Sequence, residues 1–295
     1  MVAASNMSHS YPESRKAAEE FPLMVVMSII YPCNFGCPMC PYTDGNSEIR
    51  KFYGEHDGDL FPVQLWESIA RECRQYNSWM RCTGGGEPML HPHMVEMIEY
   101  AKERGARVWM NTNGSMFGPT APRREKLERL IKAHIDLIEF SMDAGDAQLY
   151  AELRPPRGGM TKPPEVWWER QVSNVRAALE MRKKHRAPTR VVVSVIRQEA
   201  IEGKLQEAID FWLKDVGVDE VGLDPQLREF SGQEIVRAAV QTVLREQALQ
   251  PRASFGHVAA LLPEAPDRRR QPQRSAAGGD RGETAHSRAV LRRDD

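Results

Sequence analysis

Short apolar segments alternate with amphipathic helical segments over most of this 295-residue chain, and this alternation constrains the fold more than any other feature. About six of the segments are almost wholly apolar, as in strands that are covered on both faces. Strands are predicted at 21–30, 80–83, 106–112, 135–141, 191–196 and 218–223. Helices are predicted at 63–76, 94–104, 123–133, 166–184 and 201–215. The alternation indicates an α/β fold, with a parallel sheet and right-handed crossovers.

Composition divides the chain into three regions. Residues 1–20 are polar and resemble neither a signal peptide nor a transit peptide. Residues 21–225 contain all the predicted strands. Within 226–295, residues 233–247 fit one more amphipathic helix, and the remainder, rich in Arg, Ala, Pro and Gly, is expected to be disordered. The abrupt change indicates either a natural flexible tail or a change of reading frame that replaced a genuine C-terminal region, and we favour the second.

The charge balance excludes several functions. The chain has 40 basic and 41 acidic residues, so no overall positive field favours general binding of nucleic acid. The longest apolar run, 21–30, is too short to cross a bilayer, which argues against a membrane protein. An odd count of 5 cysteines without a signal peptide argues against a disulfide scaffold, and we expect a reducing, cytoplasmic location.

Three of the cysteines, Cys33, Cys37 and Cys40, lie together directly after the first predicted strand. Thiolates suit zinc or iron–sulfur clusters. A structural zinc site normally has four protein ligands, so it would need a histidine, Cys73 or Cys82 as the fourth. A cubane cluster held by three cysteines would instead leave one iron open to another ligand. Cys73 and Cys82 fit buried core positions better than ligand positions.

Polar residues also follow the other strands at the edge where parallel sheets bind ligands. The second strand ends in Thr83-Gly84-Gly85-Gly86-Glu87-Pro88, where glycines allow a close backbone approach and a carboxylate can pair with an ammonium. The later strands are followed or ended by Asn113, Ser141, Asp143, Ser194 and Arg197.

The Cys-x-x-x-Cys-x-x-Cys spacing, combined with Gly-Gly-Glu after the second strand, resembles the radical S-adenosylmethionine (SAM) superfamily over about residues 21–225. The core is similar to that of the SPASM/twitch-type subgroup, although no cysteine for an auxiliary cluster follows Cys82. The resemblance implies a partial (β/α)6 radical SAM barrel with parallel strands, followed by the tail described above.

The resemblance also implies cofactors and their ligands. Cys33, Cys37 and Cys40 would hold a 4Fe–4S cluster whose open iron binds SAM, with a flavodoxin or ferredoxin as reductant. The reduced cluster would cleave SAM to a 5′-deoxyadenosyl radical that abstracts hydrogen from the substrate. The residues expected to contact SAM are Met39, Gly85, Gly86, Glu87, Asn113, Ser141, Asp143, Ser194 and Arg197.

The substrate class follows less directly. Peptide-modifying relatives often place a recognition domain before the barrel, whereas only about twenty polar residues precede the first strand here. We therefore expect an oxidoreductase or lyase that oxidises or decarboxylates a small polar metabolite, such as a sugar, nucleoside or aminocyclitol, in antibiotic or other natural-product biosynthesis. The alternatives are a radical SAM peptide maturase and a truncated, inactive metal-binding barrel.

Anaerobic reconstitution tests the cluster prediction. We expect about four irons and four sulfides per chain, because three thiolates at this spacing suit a cubane. Replacing Cys33, Cys37 or Cys40 with alanine should abolish iron uptake, whereas Cys73→Ala should retain it. Uptake of a single zinc ion without iron would contradict the prediction.

Overall fold

The computed structural model describes residues 21–40, 42–43, 60–83, 85–224 and 289–292. The polar region at 1–20, the helix predicted at 233–247 and most of the predicted disordered tail lie outside the described residues. Gly84 also lies outside them.

Six parallel strands form one sheet in chain order, which confirms the predicted α/β fold and agrees with a partial barrel. Each of these strands is therefore joined to the next by a crossover connection, as the alternating pattern indicates. The strands are β1 (Met24–Ser28), β2 (Trp79–Thr83), β3 (Arg107–Thr112), β4 (Leu137–Ser141), β5 (Arg190–Ile196) and β6 (Glu220–Asp224).

Most predicted helices are present, with small shifts at their ends. The regular helices are α1 (Val63–Gln75), α2 (Met94–Glu103), α3 (Ala121–Lys132), α4 (Ala147–Leu153), α5 (Pro164–His185), α6 (Glu199–Glu202) and α7 (Leu205–Asp210). Instead of one helix at 201–215, the chain forms α6, α7 and a π-helical turn at Phe211–Val216. Helix α4 was not predicted, although Asp146 caps it by accepting a hydrogen bond from the Leu149 amide at 2.9 Å.

A seventh strand, β7 (Ala289–Arg292), pairs antiparallel with β6, and Gly222 lies opposite Val290. The sequence-based prediction of a disordered tail did not include this strand. A strand of four residues is too short to show the alternation of apolar and polar residues that identifies strands. The backbone partners of β7 also come from a distant part of the chain. The strand extends the sheet beyond the six parallel strands.

The core lies between the sheet and the helices, and its two largest polar side chains are hydrogen-bonded. Trp66 of α1 donates its indole N–H to the Met97 carbonyl of α2 at 2.6 Å. Trp212 donates to the Ala144 carbonyl after β4 at 2.7 Å. Both indoles are fully buried, so these bonds remove the cost of burying an N–H without a partner.

Carboxylates stabilise the edge of the sheet where the strands begin. Asp136 accepts a hydrogen bond from the Val108 amide at 2.7 Å and pairs with Lys102. Asp219 accepts from the Val191 amide at 2.7 Å and pairs with Arg182. Each carboxylate precedes one strand and binds the neighbouring strand. The opposite edge, where the strands end, is left for the polar residues that the sequence analysis singled out.

No helix among the described residues is long and apolar enough to cross a membrane.

Substituting Leu130 tests the packing of the sheet against its helices. Leu130 of α3 is fully buried, so Leu130→Ala should lower the free energy of unfolding by about 2–5 kcal/mol through lost burial and a cavity. Leu23→Ala is the matched control, because Leu23 is 52% exposed and should change stability by about 0.5 kcal/mol or less. Urea unfolding followed by circular dichroism would measure both, and equal losses would contradict this packing.

Candidate active site

The three clustered cysteines lie on the loop that follows β1, and Thr43 holds the end of this loop. Its hydroxyl donates to the Cys37 carbonyl at 2.6 Å and lies 2.9 Å from the Cys40 carbonyl. The Cys40 amide also donates to the Cys37 carbonyl at 3.1 Å. Cys37 is buried, whereas Cys33 and Cys40 are partly exposed. The turn therefore presents the three thiols from one short segment.

The surroundings of these thiols disfavour the free thiolate. Burial raises the pKa of Cys33 to about 12, and it raises the pKa values of Cys37 and Cys40. The positive charge of Arg154 opposes this effect at Cys37 and Cys40. Metal binding would have to displace the thiol protons, because thiolates rather than thiols are ligands.

Glu87 connects the ends of β2 and β3 through a buried carboxylate. One carboxylate oxygen accepts from the Thr112 hydroxyl at 2.7 Å and from the Met89 amide at 3.1 Å. The other accepts from the Asn113 amide at 2.7 Å. Burial raises the pKa of Glu87, and these hydrogen bonds oppose the rise. Both oxygens therefore already have partners within the protein.

Gly86 packs closely against the start of the cysteine loop, and its predicted contact with SAM stays a prediction. A Cβ atom at this position would lie 2.1 Å from the Pro32 carbonyl oxygen and 2.5 Å from that of Ile30. The next amide, that of Glu87, donates to the same Pro32 carbonyl at 3.0 Å. Only glycine allows the end of β2 to pack this closely against the start of the cysteine loop. The adjacent Gly85 is buried.

Asn113 connects Glu87 to the cysteine loop. Its side-chain amide donates to Asn34 Oδ1 at 2.9 Å and points its N–H at Cys33 Sγ from 3.9 Å. Its Oδ1 accepts from the Ser115 hydroxyl at 2.6 Å. The sequence analysis did not identify Asn34, although it lies next to Cys33. Its role depends on partners after β3 that only the fold brings close.

Asp143, which follows β4, forms a buried ion pair with Arg154. Asp143 Oδ2 accepts from Arg154 Nε at 2.6 Å and lies 2.5 Å from Nη2, while Oδ1 accepts from the Ile196 amide at 2.7 Å. The Arg154 side chain is only 11% exposed and lies near Cys37. The carboxylate that the sequence assigned to SAM therefore contacts Arg154 and the end of β5.

The segment that begins at Arg154 also pairs with the cysteine loop through its backbone. The Gly36 amide donates to the Pro155 carbonyl at 2.8 Å, and the Arg157 amide donates to the Asn34 carbonyl at 2.9 Å. These bonds hold the loop between Cys33 and Cys37 against the chain that follows α4. The sequence analysis did not connect this segment with the cysteines, since no local pattern marks such a pairing.

The other predicted site residues lie in three different settings. Ser141, the last residue of β4, is in register with Ser194, which lies near the end of β5. Met39 is partly buried against the core. Arg197 is exposed and donates to Glu202 at 3.1 Å. Contact of each residue with SAM stays a prediction.

The donor chemistry of the loop fits an iron–sulfur cluster. Three soft thiols come from one turn, an amide N–H points at the Cys33 sulfur, and the Arg154 guanidinium lies near Cys37. Hydrogen bonds and positive charge stabilise anionic thiolate-held clusters. Cys73 and Cys82, considered above as zinc ligands, are both fully buried in the core. Among the described residues, which include the three loop cysteines, no three His, Cys, Asp or Glu side chains are grouped so as to hold a metal ion, so the fit rests on donor chemistry.

A parallel α/β sheet with a three-cysteine loop after its first strand defines a class of proteins that hold an iron–sulfur cluster at the ends of the strands. Residues 27–199 match the family model described as the radical SAM superfamily, and the chain belongs to that superfamily. The cofactors of this superfamily are a 4Fe–4S cluster and SAM, as the sequence analysis expected.

Curated relatives match parts of this chain. A tungsten-containing aldehyde ferredoxin oxidoreductase cofactor-modifying protein of Pyrococcus furiosus is 29% identical over 119 residues, covering 40% of this chain and 30% of the relative. The PqqA peptide cyclase of Bradyrhizobium diazoefficiens is 23% identical over 189 residues, covering 62% of this chain and 46% of the cyclase. The chain therefore spans between about a third and a half of these relatives.

A solved structure shows the same fold. The crystal structure of SuiB from Streptococcus suis, bound to its precursor peptide SuiA, matches with a TM-score of 0.54 and 16% identity. The match covers 84% of this chain and 53% of SuiB. At this identity the similarity establishes the fold alone.

Removing the Arg154 side chain tests its role in holding the cysteine loop. Arg154→Gln leaves a buried carboxylate without its partner, which costs about 3–5 kcal/mol in comparable pairs. We expect the Gly36 amide of the cluster-free chain, which donates to the Pro155 carbonyl, to exchange its hydrogen for deuterium several times faster, as measured by mass spectrometry of its peptide. Arg157→Gln removes an equal charge from an exposed neighbour and should leave the rate close to wild type. Equal rates in the two variants would contradict this role.

Proposed function

We propose that this chain is the core of a radical SAM enzyme that modifies a peptide. The main support is its similarity, over 189 residues, to a protein whose name is PqqA peptide cyclase. The shared fold with SuiB, which binds a precursor peptide, is consistent with this proposal. The similarity favours the peptide alternative over the small polar metabolite that the sequence analysis preferred.

The cysteine loop supplies the ligands in this proposal. Cys33, Cys37 and Cys40 would hold the 4Fe–4S cluster, which together with SAM would supply the chemistry for abstracting hydrogen from an unactivated carbon. The Asn113 amide and the Arg154 guanidinium offset the negative charge that three thiolates would bring into a partly buried site. The backbone pairing of the loop with the chain after α4 restricts the conformations of the segment that carries the thiols.

The remaining residues position SAM at the ends of the strands. Glu87 holds the Met89 and Asn113 amides in place, and because a carboxylate can accept about four hydrogen bonds, we keep its predicted contact with the SAM ammonium. Asp143 holds the chain after α4 in place through its ion pair with Arg154. Direct contacts with SAM are assigned to backbone groups of the two glycines and to Met39, Ser141 and Ser194. Arg197 is a SAM ligand only if it exchanges Glu202 for the cofactor.

The matches cover 30% and 46% of the two relatives' lengths, so peptide modification by the whole protein is part of this proposal. Residues 21–225 form the radical SAM barrel, flanked by the regions 1–20 and 226–295. A flavodoxin or ferredoxin is the expected electron donor.

Deuterium transfer distinguishes the possible substrate classes. Cells that encode this chain are grown in deuterated medium, and their extract is separated into a peptide fraction and a small-metabolite fraction. Each fraction is incubated anaerobically with reconstituted protein, unlabelled SAM and dithionite. Because the radical takes hydrogen from its substrate, deuterium should appear in 5′-deoxyadenosine with the peptide fraction. Protease treatment of that fraction should abolish the transfer.

Cys37→Ser is the control for background SAM cleavage and should form no 5′-deoxyadenosine. Deuterium transfer from the metabolite fraction alone would overturn the peptide proposal and restore the metabolite prediction. A loaded cluster with no 5′-deoxyadenosine in either fraction would favour the inactive-barrel alternative.

A further inference from the structure

A cavity of about 600 Å³ lies where α3 and α5 begin, outside the set of residues described above as the candidate active site. Its volume is within the range typical of ligand pockets. The residues that line it are Pro119, Thr120, Arg123, Thr161, Lys162, Val166, Trp167, Arg170, Ser173 and Asn174.

The cavity is positively charged. Arg123, Lys162 and Arg170 line it, and no aspartate or glutamate is among its described lining residues. The guanidinium groups of Arg123 and Arg170 both approach the Ser115 carbonyl, at 3.5 Å and 3.3 Å. Burial, followed by the nearby charge of Arg123, lowers the pKa of Arg170. An anion in the cavity would relieve this repulsion.

Three buried polar atoms of the cavity wall have no hydrogen-bond partner in the part of the chain that the structure describes. They are Arg170 Nε, Trp167 Nε1 and Asn174 Oδ1. Asn174 is 1% exposed, and its Nδ2 already donates to the Gly114 carbonyl at 3.0 Å. Its Oδ1 therefore needs a donor. Buried polar groups normally have partners, and these atoms have almost no accessible surface, so a ligand would pair with them where the wall side chains turn towards the cavity.

We propose that this cavity binds an acidic side chain of the peptide substrate. A carboxylate fits the two guanidinium groups, and a backbone N–H of the same peptide supplies the donor that Asn174 lacks. Inorganic phosphate keeps at least one O–H group at neutral pH and fits the same cations, so the displacement experiment below distinguishes it from a carboxylate. Val166 and the Trp167 ring provide apolar surface for neighbouring residues of the peptide. The identity of the ligand as a peptide rests on the proposed function.

Ser115 forms a wall between this cavity and the cysteine loop. Its carbonyl faces Arg123 and Arg170, while its hydroxyl accepts from Asn34 Nδ2 at 2.7 Å, beside Cys33. A peptide anchored in the cavity would therefore be held next to the loop that carries the cysteines. Anchoring of this kind places a flexible substrate near the reacting centre. It reduces the conformational entropy that the substrate loses when it takes up the reactive geometry.

Fluorescence anisotropy with the whole 295-residue chain, reconstituted with its cluster, tests the proposal. The probes are a fluorescein-labelled hexapeptide with two adjacent glutamates and its glutamine counterpart. We expect the glutamate peptide to bind at least about tenfold more tightly, and Arg170→Gln and Arg123→Gln each to weaken it about tenfold, as expected for a lost charged hydrogen bond. Arg176→Gln, an exposed position on the same helix, should bind as wild type does.

Equal affinity for the two peptides would overturn the proposal, as would wild-type affinity in both Arg170→Gln and Arg123→Gln. Displacement of the glutamate peptide by inorganic phosphate at an equal concentration would show that the cavity is a phosphate site. Circular dichroism confirms that each variant is folded. The binding assay does not depend on SAM cleavage. If the glutamate peptide does not bind preferentially but deuterium is transferred from peptides, only the assignment of the cavity is wrong. Peptide binding without such transfer would remove the proposed function instead.

Discussion

The buried carboxylate of Glu87 is the interaction on which the arrangement of the site depends. It accepts hydrogen bonds from Thr112, Met89 and Asn113, and so fixes the end of β2 against the end of β3. Three donors offset the cost of keeping a carboxylate in a site where burial raises its pKa. Because Asn113 in turn reaches Asn34 and Cys33, the same carboxylate sets the position of the cysteine loop.

The opposite side of the loop is held by the Arg154–Asp143 pair and the backbone pairing beside it. A buried ion pair adds little net stability on average, but losing one partner costs much free energy. The Arg154–Asp143 pair therefore holds the chain after α4 in one position. The same guanidinium places positive charge next to Cys37. Structure and electrostatics are thus coupled, since the group that holds the loop also favours the charged state of its thiols.

The sheet and the cysteine motif could be predicted because their signals are local. Apolar runs and helical periodicity identified the six parallel strands, which the structure confirms. Helix α4 and the break between α6 and α7 were missed, since short helices carry little periodicity. Strand β7 was missed because its partner among the described strands is β6, which lies far away in the sequence. The sequence predicted that Asp143 and Arg197 contact SAM, but it could not indicate that these residues pair with Arg154 and Glu202.

The sequence by itself determined the class of this protein: three thiols after the first strand, Gly-Gly-Glu after the second, and an alternation that places both at one edge of a parallel sheet. Only the tertiary structure decided which groups act on those residues. Asn34 and Asn113 meet across a sequence separation of 79 residues, and Arg123 and Arg170 converge on one carbonyl from two helices. Hydrogen bonds and charge interactions act over a few ångströms in space, and the packing of the sheet against its helices determines which residues come that close.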